Sequence, residues 1–426
     1  MIFNKRLRAE RGSTSIGAVI TGAVASIGLV ATGVVVSSSI IPVNIDTARN
    51  GVCVKAYYST DESIEKTSCT YLDSQAKEDS SENPPEGNNP DEEIVIEDPN
   101  APIMRTTWDT TSDECRSITL PAKGVTTNVK IDWGGVKTES DSNGLTSPTL
   151  ESNPALKVKT EGYFTEWGIN QSSMDCLVSV DTWGETATNK LRFSYSKKLR
   201  HVAQLPESVT NLSSAFANIQ SEFTIGNLKT PNVTSMQEMF KDSTKFNSPV
   251  TLDTSNVEYM DGMFWGATSF NQPIDFETPK LLKVNSMFRD ATSFNQKVEL
   301  DTNIVTTMAG MFWGATSFNQ PIDFNTPVLD TTENMFRNAT EFNSTVKLNT
   351  SKVLTTKYMF GNASKFDQPL DFDMREASSV AYMFNNATSF NQNLKHWTMK
   401  KYTAYAGFAD GATKWAKENQ PSFKWT

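Results

Sequence analysis

Apolar residues fall on a fixed beat through the C-terminal half of the chain. The pair Met-Phe returns every 24 residues, at Met239-Phe240, Met263-Phe264, Met287-Phe288, Met311-Phe312, Met335-Phe336, Met359-Phe360 and Met383-Phe384. A second Phe follows each pair, at Phe246, Phe270, Phe294, Phe318, Phe342, Phe366 and Phe390, with no insertion between copies. A fixed period of this kind is the mark of a solenoid. Within one copy, Val257, Met260, Met263, Phe264, Ala267 and Phe270 have the spacing of one face of a helix or helical turn. Asn271-Gln272-Pro273 breaks that helix, and Ile274 and Phe276 flank Asp275 as a short strand would. One copy has too small an apolar face to fold alone, so stacking must join the Met-Phe pairs into a continuous core.

Both ends of the pattern read as caps. Phe216 lies 24 residues before Phe240 and Phe408 lies 24 after Phe384, while Phe223 and Trp415 stand in for the second Phe. About nine coils over residues 205–426 follow from this spacing. Stacking also predicts columns of like residues. Asn247, Asn271, Asn295, Asn319 and Asn343, continued by Asp367 and Asn391, form one, read as a structural ladder of amides bonded to neighbouring coils. Thr254, Thr278, Thr302, Thr326 and Thr350 form a second. A third has a double period: Lys241, Trp265, Arg289, Trp313 and Arg337, then Gly361 and Asn385. Its tolerance of Lys, Arg, Gly and Asn predicts a solvent-exposed ladder of cations between indoles. Such a ladder either supports the outer face or forms a ligand-binding stripe for protein or glycan.

Upstream, residues 104–204 hold short β-rich runs with alternating polarity, as at Val129, Ile131 and Trp133. A small antiparallel β domain is expected, with Trp108, Trp133, Trp167 and Trp183 as core and turn anchors. Residues 74–103 are acidic and Pro-rich and read as a linker; residues 46–73 form a small Cys-containing segment. Residues 16–41 carry no charge and follow a basic flank of Lys5, Arg6, Arg8 and Arg11. That length predicts a transmembrane helix within residues 1–45, with everything after it outside the cytoplasm.

The net charge of −10 argues against a nucleic-acid partner. Cys53, Cys69, Cys115 and Cys176 lack metal-ligand spacing, and beside an export signal they are disulfide candidates with the pairing open. No catalytic motif is present, neither GxSxG, P-loop nor HExxH, so no enzyme, cofactor or metal is expected.

Two resemblances add to this reading. The junction Glu10-Arg11-Gly12-Ser13-Thr14-Ser15-Ile16 resembles a type IV prepilin leader, which implies processing between Gly12 and Ser13 and packing with pilin subunits. Gly17 departs from that pattern, because most major pilins carry Glu there. The run Met-Phe-x-x-Ala-Thr-Ser-Phe-Asn-Gln-Pro-Ile closely resembles the BspA-like surface-protein repeat, a relative of leucine-rich repeats. That resemblance spans residues 105–420 and implies surface exposure and, for some members, adhesion to host or matrix components. The expected class is α+β: an N-terminal transmembrane helix, a small antiparallel β domain, then a leucine-rich-repeat-like solenoid of 24-residue coils. The expected function is a surface-exposed, membrane-anchored binding or adhesion module for protein or glycan ligands. The alternative is a minor pilin-like subunit assembled in a type IV pilus or pseudopilus.

Overall fold

The computed structural model describes residues 43–46, 51–57, 65–71 and 103–422, apart from 126–128, 141–144, 169–170, 185–187 and 227. The chain divides into two compact units, Met1–Ile94 and Val95–Thr426. The first contains an antiparallel sheet of β1 (Val43–Asp46), β2 (Gly51–Tyr57) and β3 (Glu65–Tyr71). Cys53 and Cys69 are direct register partners in it.

The second unit begins with β4 (Ile103–Trp108), β5 (Ala122–Lys123), β6 (Val129–Asp132), β7 (Lys137–Ser140), β8 (Leu156–Glu161), β9 (Glu166–Trp167), β10 (Leu177–Thr182) and β11 (Lys190–Leu191). Strands β12 (His201–Val202) and β13 (Thr224–Ile225) complete a seven-stranded sheet of order β13-β12-β10-β4-β8-β6-β7. The β4, β6, β7, β8 and β10 pairings are antiparallel, whereas β12 and β13 add in parallel. The parallel direction is that of the solenoid, so one sheet passes from hairpin-type pairing into coil stacking. Trp108, Trp133, Trp167 and Trp183 are all buried, and the Gly after each of the last three has positive φ, at Gly134, Gly168 and Gly184. Cys115 and Cys176 form a disulfide in this region.

The α+β class is overturned. Among the described residues the only α-helix is the single turn α1 (Gln171–Met174), and the solenoid coils contain no α-helix, only a 3-10 turn at Lys417–Asn419. The predicted helical stretch of each coil is a pair of turns. Glu238 and Asp242 have φ of 54° and 55°, and the equivalent residues of the other coils are also left-handed. A left-handed residue interrupts an α-helix, yet the apolar residues stay on one side because each turn closes with a bond spanning three residues. Met239 N–H donates to Met236 O at 3.2 Å and Lys241 N–H to Glu238 O at 3.1 Å. Alternate amides point along the stack: Met236, Glu238, Phe240 and Asp242 donate to Tyr259, Asp261, Met263 and Trp265 carbonyls at 2.6–2.9 Å. Periodicity alone cannot separate this from a helix, since both bury residues three and four apart. The expected membrane helix falls on residues 1–45, which lie outside the described residues except for β1 at their end. No helix among the described residues is long and apolar enough to cross a membrane, so the transmembrane part of the class has no counterpart there.

Parallel bridges tie Lys190, Asn211, Ser235, Tyr259, Lys283, Thr307, Thr331, Thr355, Ser379 and Ala404 into one column, one residue per coil. The stack therefore starts in the β region, a coil earlier than the Phe216 cap. Phe193 occupies the Phe slot there and stacks on Phe216 at 5.2 Å. From Phe240 to Phe384 the first-Phe rings stack at 5.4–5.6 Å between coils. The second Phe packs on the first at 4.0–4.3 Å within each coil. All are fully buried, so two aromatic columns form the solenoid core. The C-terminal coil carries one extra residue: Ser379 bridges Ala404, and Phe384 N–H donates to Phe408 O where Phe360 N–H donates to Met383 O. Phe408 thus fills the Met slot, not the Phe slot, and meets Phe384 edge-on at an interplanar angle of 83°. Trp415 takes the second-Phe slot and closes the column against Phe384 and Phe390.

Candidate binding face on the solenoid

The paired turns place two left-handed positions four residues apart on the outer surface of each coil from Ser214 onward. Whereas the first coil has Tyr195 at the second position, in these coils it is Asn, Asp or Gly: Asn218, Asp242, Gly266, Asp290, Gly314, Asn338, Asn362, Asn386 and Gly411. These are the residue types that tolerate left-handed backbone. Stacking makes the choice interdependent. A Cβ on Gly266 would lie 2.2 Å from Asp242 Oδ1, and one on Gly314 would lie 2.1 Å from Asp290 Oδ1. Where Asn stacks on Asn, the amides pair instead, Asn362 Nδ2 donating to Asn338 Oδ1 at 2.7 Å and Asn386 Nδ2 to Asn362 Oδ1 at 2.9 Å.

Between those two positions stands the column of candidate ligand-binding residues, and the structure brings all five into one stack. Lys241 Nζ lies 4.1 Å from the Trp265 ring centroid. The Arg289 guanidinium is sandwiched between Trp265 at 4.5 Å and Trp313 at 3.8 Å. Arg337 lies 5.0 Å from Trp313 on one side and 4.3 Å from Tyr358 on the other. Tyr358 then stacks on Tyr382 at 4.6 Å. The tyrosines come from the other left-handed position, a continuation that sequence columns do not show. The signal was there in the small residues. Gly262 and Gly310 sit beneath Trp265 and Trp313, whereas Gly361 makes room for Tyr358, so each of these three rings is matched by Gly at the other position.

The ladder is half-buried rather than freely exposed. Lys241 and Arg289 side chains retain 24% and 27% of their exposure, and each has an acidic neighbour, Glu238 at 2.8 Å and Asp290 at 3.3 Å. Both faces of each indole are covered by cations, which leaves ring edges and guanidinium N–H groups for contact.

The Asn column has a different job. Asn247 Oδ1 accepts the Asn271 N–H at 2.9 Å, and the same bond joins Asn271 to Asn295, Asn295 to Asn319, and Asn319 to Asn343 at 2.7–2.9 Å. Asp367 and Asn391 continue it, Asn391 Oδ1 accepting from Ala416 N–H at 2.9 Å. Gln272, Gln296 and Gln320 donate to the same oxygens. The Thr column is buried and donates to the next coil, as Thr254 Oγ1 to Glu277 O at 2.7 Å. The processing candidates Gly12 and Ser13 lie outside the described residues. Among the described residues no three of His, Cys, Asp and Glu are grouped so as to hold a metal ion.

A family model described as "Mycoplasma protein of unknown function, DUF285" matches residues 210–324, 275–371 and 322–423, all within the stacked coils. No curated protein and no solved structure matches the chain.

Proposed function

The chain belongs to the DUF285 family of proteins of unknown function, matched over half its length, and from that premise we propose that it is a binding module of the extracytoplasmic surface, holding a protein partner on the turn face of its solenoid. The observation that carries the reading is the continuous column Lys241–Trp265–Arg289–Trp313–Arg337–Tyr358–Tyr382. Trp, Tyr and Arg are the residue types that dominate binding energy at interfaces. Stacking has already removed much of their rotamer freedom, so ordering them costs little at the moment of binding. A glycan that stacks on an indole needs a free ring face, and here both faces are occupied. A protein surface reaching ring edges and guanidinium N–H groups fits better.

The Met-Phe-x-x-Ala-Thr-Ser-Phe-Asn-Gln-Pro-Ile run supports a place among BspA-like surface repeats, some of which adhere to host or matrix components. The Cys115–Cys176 disulfide is in keeping with an oxidising compartment. The test is adhesion of the full chain to immobilised extracellular matrix. Trp265→Ala with Trp313→Ala should weaken binding by about tenfold or more, the effect of losing one or two hot spots, while thermal melting shows the fold retained. Unchanged adhesion by a folded double variant would remove this face from consideration.

A further inference from the structure

The first coil carries a charged cluster that the turn-face ladder does not include. Strand register sets Lys123 of β5, Glu166 of β9 and Lys190 of β11 side by side in one row. Cross-strand partners share a face of the sheet, and residues two apart along a strand return to it. Arg192 and Gly168 therefore join the same face, beside Lys190 and Glu166. Gly168 has φ +91°, and a Cβ there would lie 1.6 Å from the Arg192 carbonyl oxygen. Its missing side chain lets the backbone of Arg192 approach closely, and these residues with Trp167 line a cavity of about 140 Å³.

Among the described residues, the charges around this cavity are uncompensated. Several cations elsewhere on the coils are paired, as in Lys241–Glu238, Lys347–Asp323, Lys365–Glu341 and Lys400–Glu376. Lys123, Lys190 and Arg192 are exposed and Glu166 is half-buried, and none of the four has an ion-pair or hydrogen-bond partner for its side chain among the described residues. Three cations and one carboxylate leave a surplus of two positive charges on a chain whose net charge is −10.

We propose that this cavity binds a compact tetrahedral oxyanion, a phosphate or sulfate group. A dianion matches the surplus charge, whereas a single carboxylate would leave half of it unmet. Lys and Arg supply charge-assisted donors from three sides. The group can be a free ion or an ester on a sugar, and the chemistry of recognition is the same for both.

Isothermal titration of the full chain at low salt distinguishes them, using inorganic phosphate, inorganic sulfate, glucose 6-phosphate and acetate. Saturable one-to-one binding of phosphate or sulfate, with acetate at least tenfold weaker, is expected. Tighter binding of glucose 6-phosphate than of the free ions assigns the site to an ester, and equal or weaker binding assigns it to the ion. Lys190→Ala with Arg192→Ala should reduce affinity at least tenfold. Lys123→Ala, exposed on an edge of the small sheet, should reduce it severalfold and guards against misfolding of the double variant. Glu166→Gln should increase affinity severalfold, because it removes the one repelling charge. No saturable binding, acetate binding as tightly as phosphate, or loss of affinity in Glu166→Gln would overturn the proposal.

Discussion

At the scale of single residues, the outer surface of each coil obeys a pairwise rule between coils. Asp242 Oδ1 fills the space that a Cβ on Gly266 would need. Gly266→Ala should therefore destabilise the fold by about 2 kcal/mol, combining left-handed strain with a clash. Asp242→Asn with Gly266→Asn copies the Asn338–Asn362 pairing and should recover much of that loss in urea unfolding. The Asn ladder makes a second prediction. Asn295→Ala removes the acceptor used by Asn319 N–H and by Gln320 Nε2. Leaving a partly buried amide unpaired costs about 1–3 kcal/mol. The melting temperature should fall while adhesion per folded molecule stays unchanged, the reverse of what Trp265→Ala with Trp313→Ala should do.

At the scale of elements, local charge ties the β region to the first coil, and a covalent link closes the β region on itself. Asp109 follows β4 and takes hydrogen bonds from Thr111 and an ion pair from Lys198 at 2.9 Å. The Thr111 hydroxyl, then Lys198, holds its carboxyl at about 2, below the ordinary 3.8. A depressed folded value means stability that is present above the ordinary value and lost as pH falls toward the folded one. Asp109→Asn should accordingly flatten the loss of stability between about pH 4 and about pH 2, read from urea midpoints. The disulfide Cys115–Cys176 closes a separation of 61 residues, and removing it should cost about 4 kcal/mol in the chain-entropy account.

The elements also show how far the sequence could be read. The 24-residue period, the buried Phe columns, the Asn and Thr ladders and the cation–indole column were legible, because stacking repeats each contact at the same spacing. The turn pair was not. Met260, Met263, Phe264 and Ala267 have helical spacing, and only the Asn, Asp or Gly at the second left-handed position of each repeat from Asn218 to Gly411 betrays the difference. Phe193 escaped because it lies 23 residues before Phe216 and has no Met before it. Phe408 was misplaced because one inserted residue moves it from the Phe slot to the Met slot without changing its distance from Phe384. The cavity beside Lys123, Glu166, Lys190 and Arg192 had no linear signal, since strand register alone gathers residues from three distant segments.

For the second unit as a whole, the consequence of stacking is continuity. Aromatic contacts run from Phe164 and Trp167 through Trp183 and Phe193 to Phe216, then along the Phe columns to Trp415. Neighbouring coils share backbone bonds and rings, so the outer column rests on a stiff support and its side chains keep a fixed spacing. The central claim is that this column, and no other face, meets the partner. Hydroxyl-radical footprinting of the full chain, free and bound to immobilised matrix, tests it most directly. Bound protein should show Trp265, Trp313 and Tyr358 protected, with Ile304 and Leu354, exposed at 44% and 46% on other columns, unchanged. Protection at Ile304 and Leu354 with Trp265 and Trp313 still reactive would contradict the account.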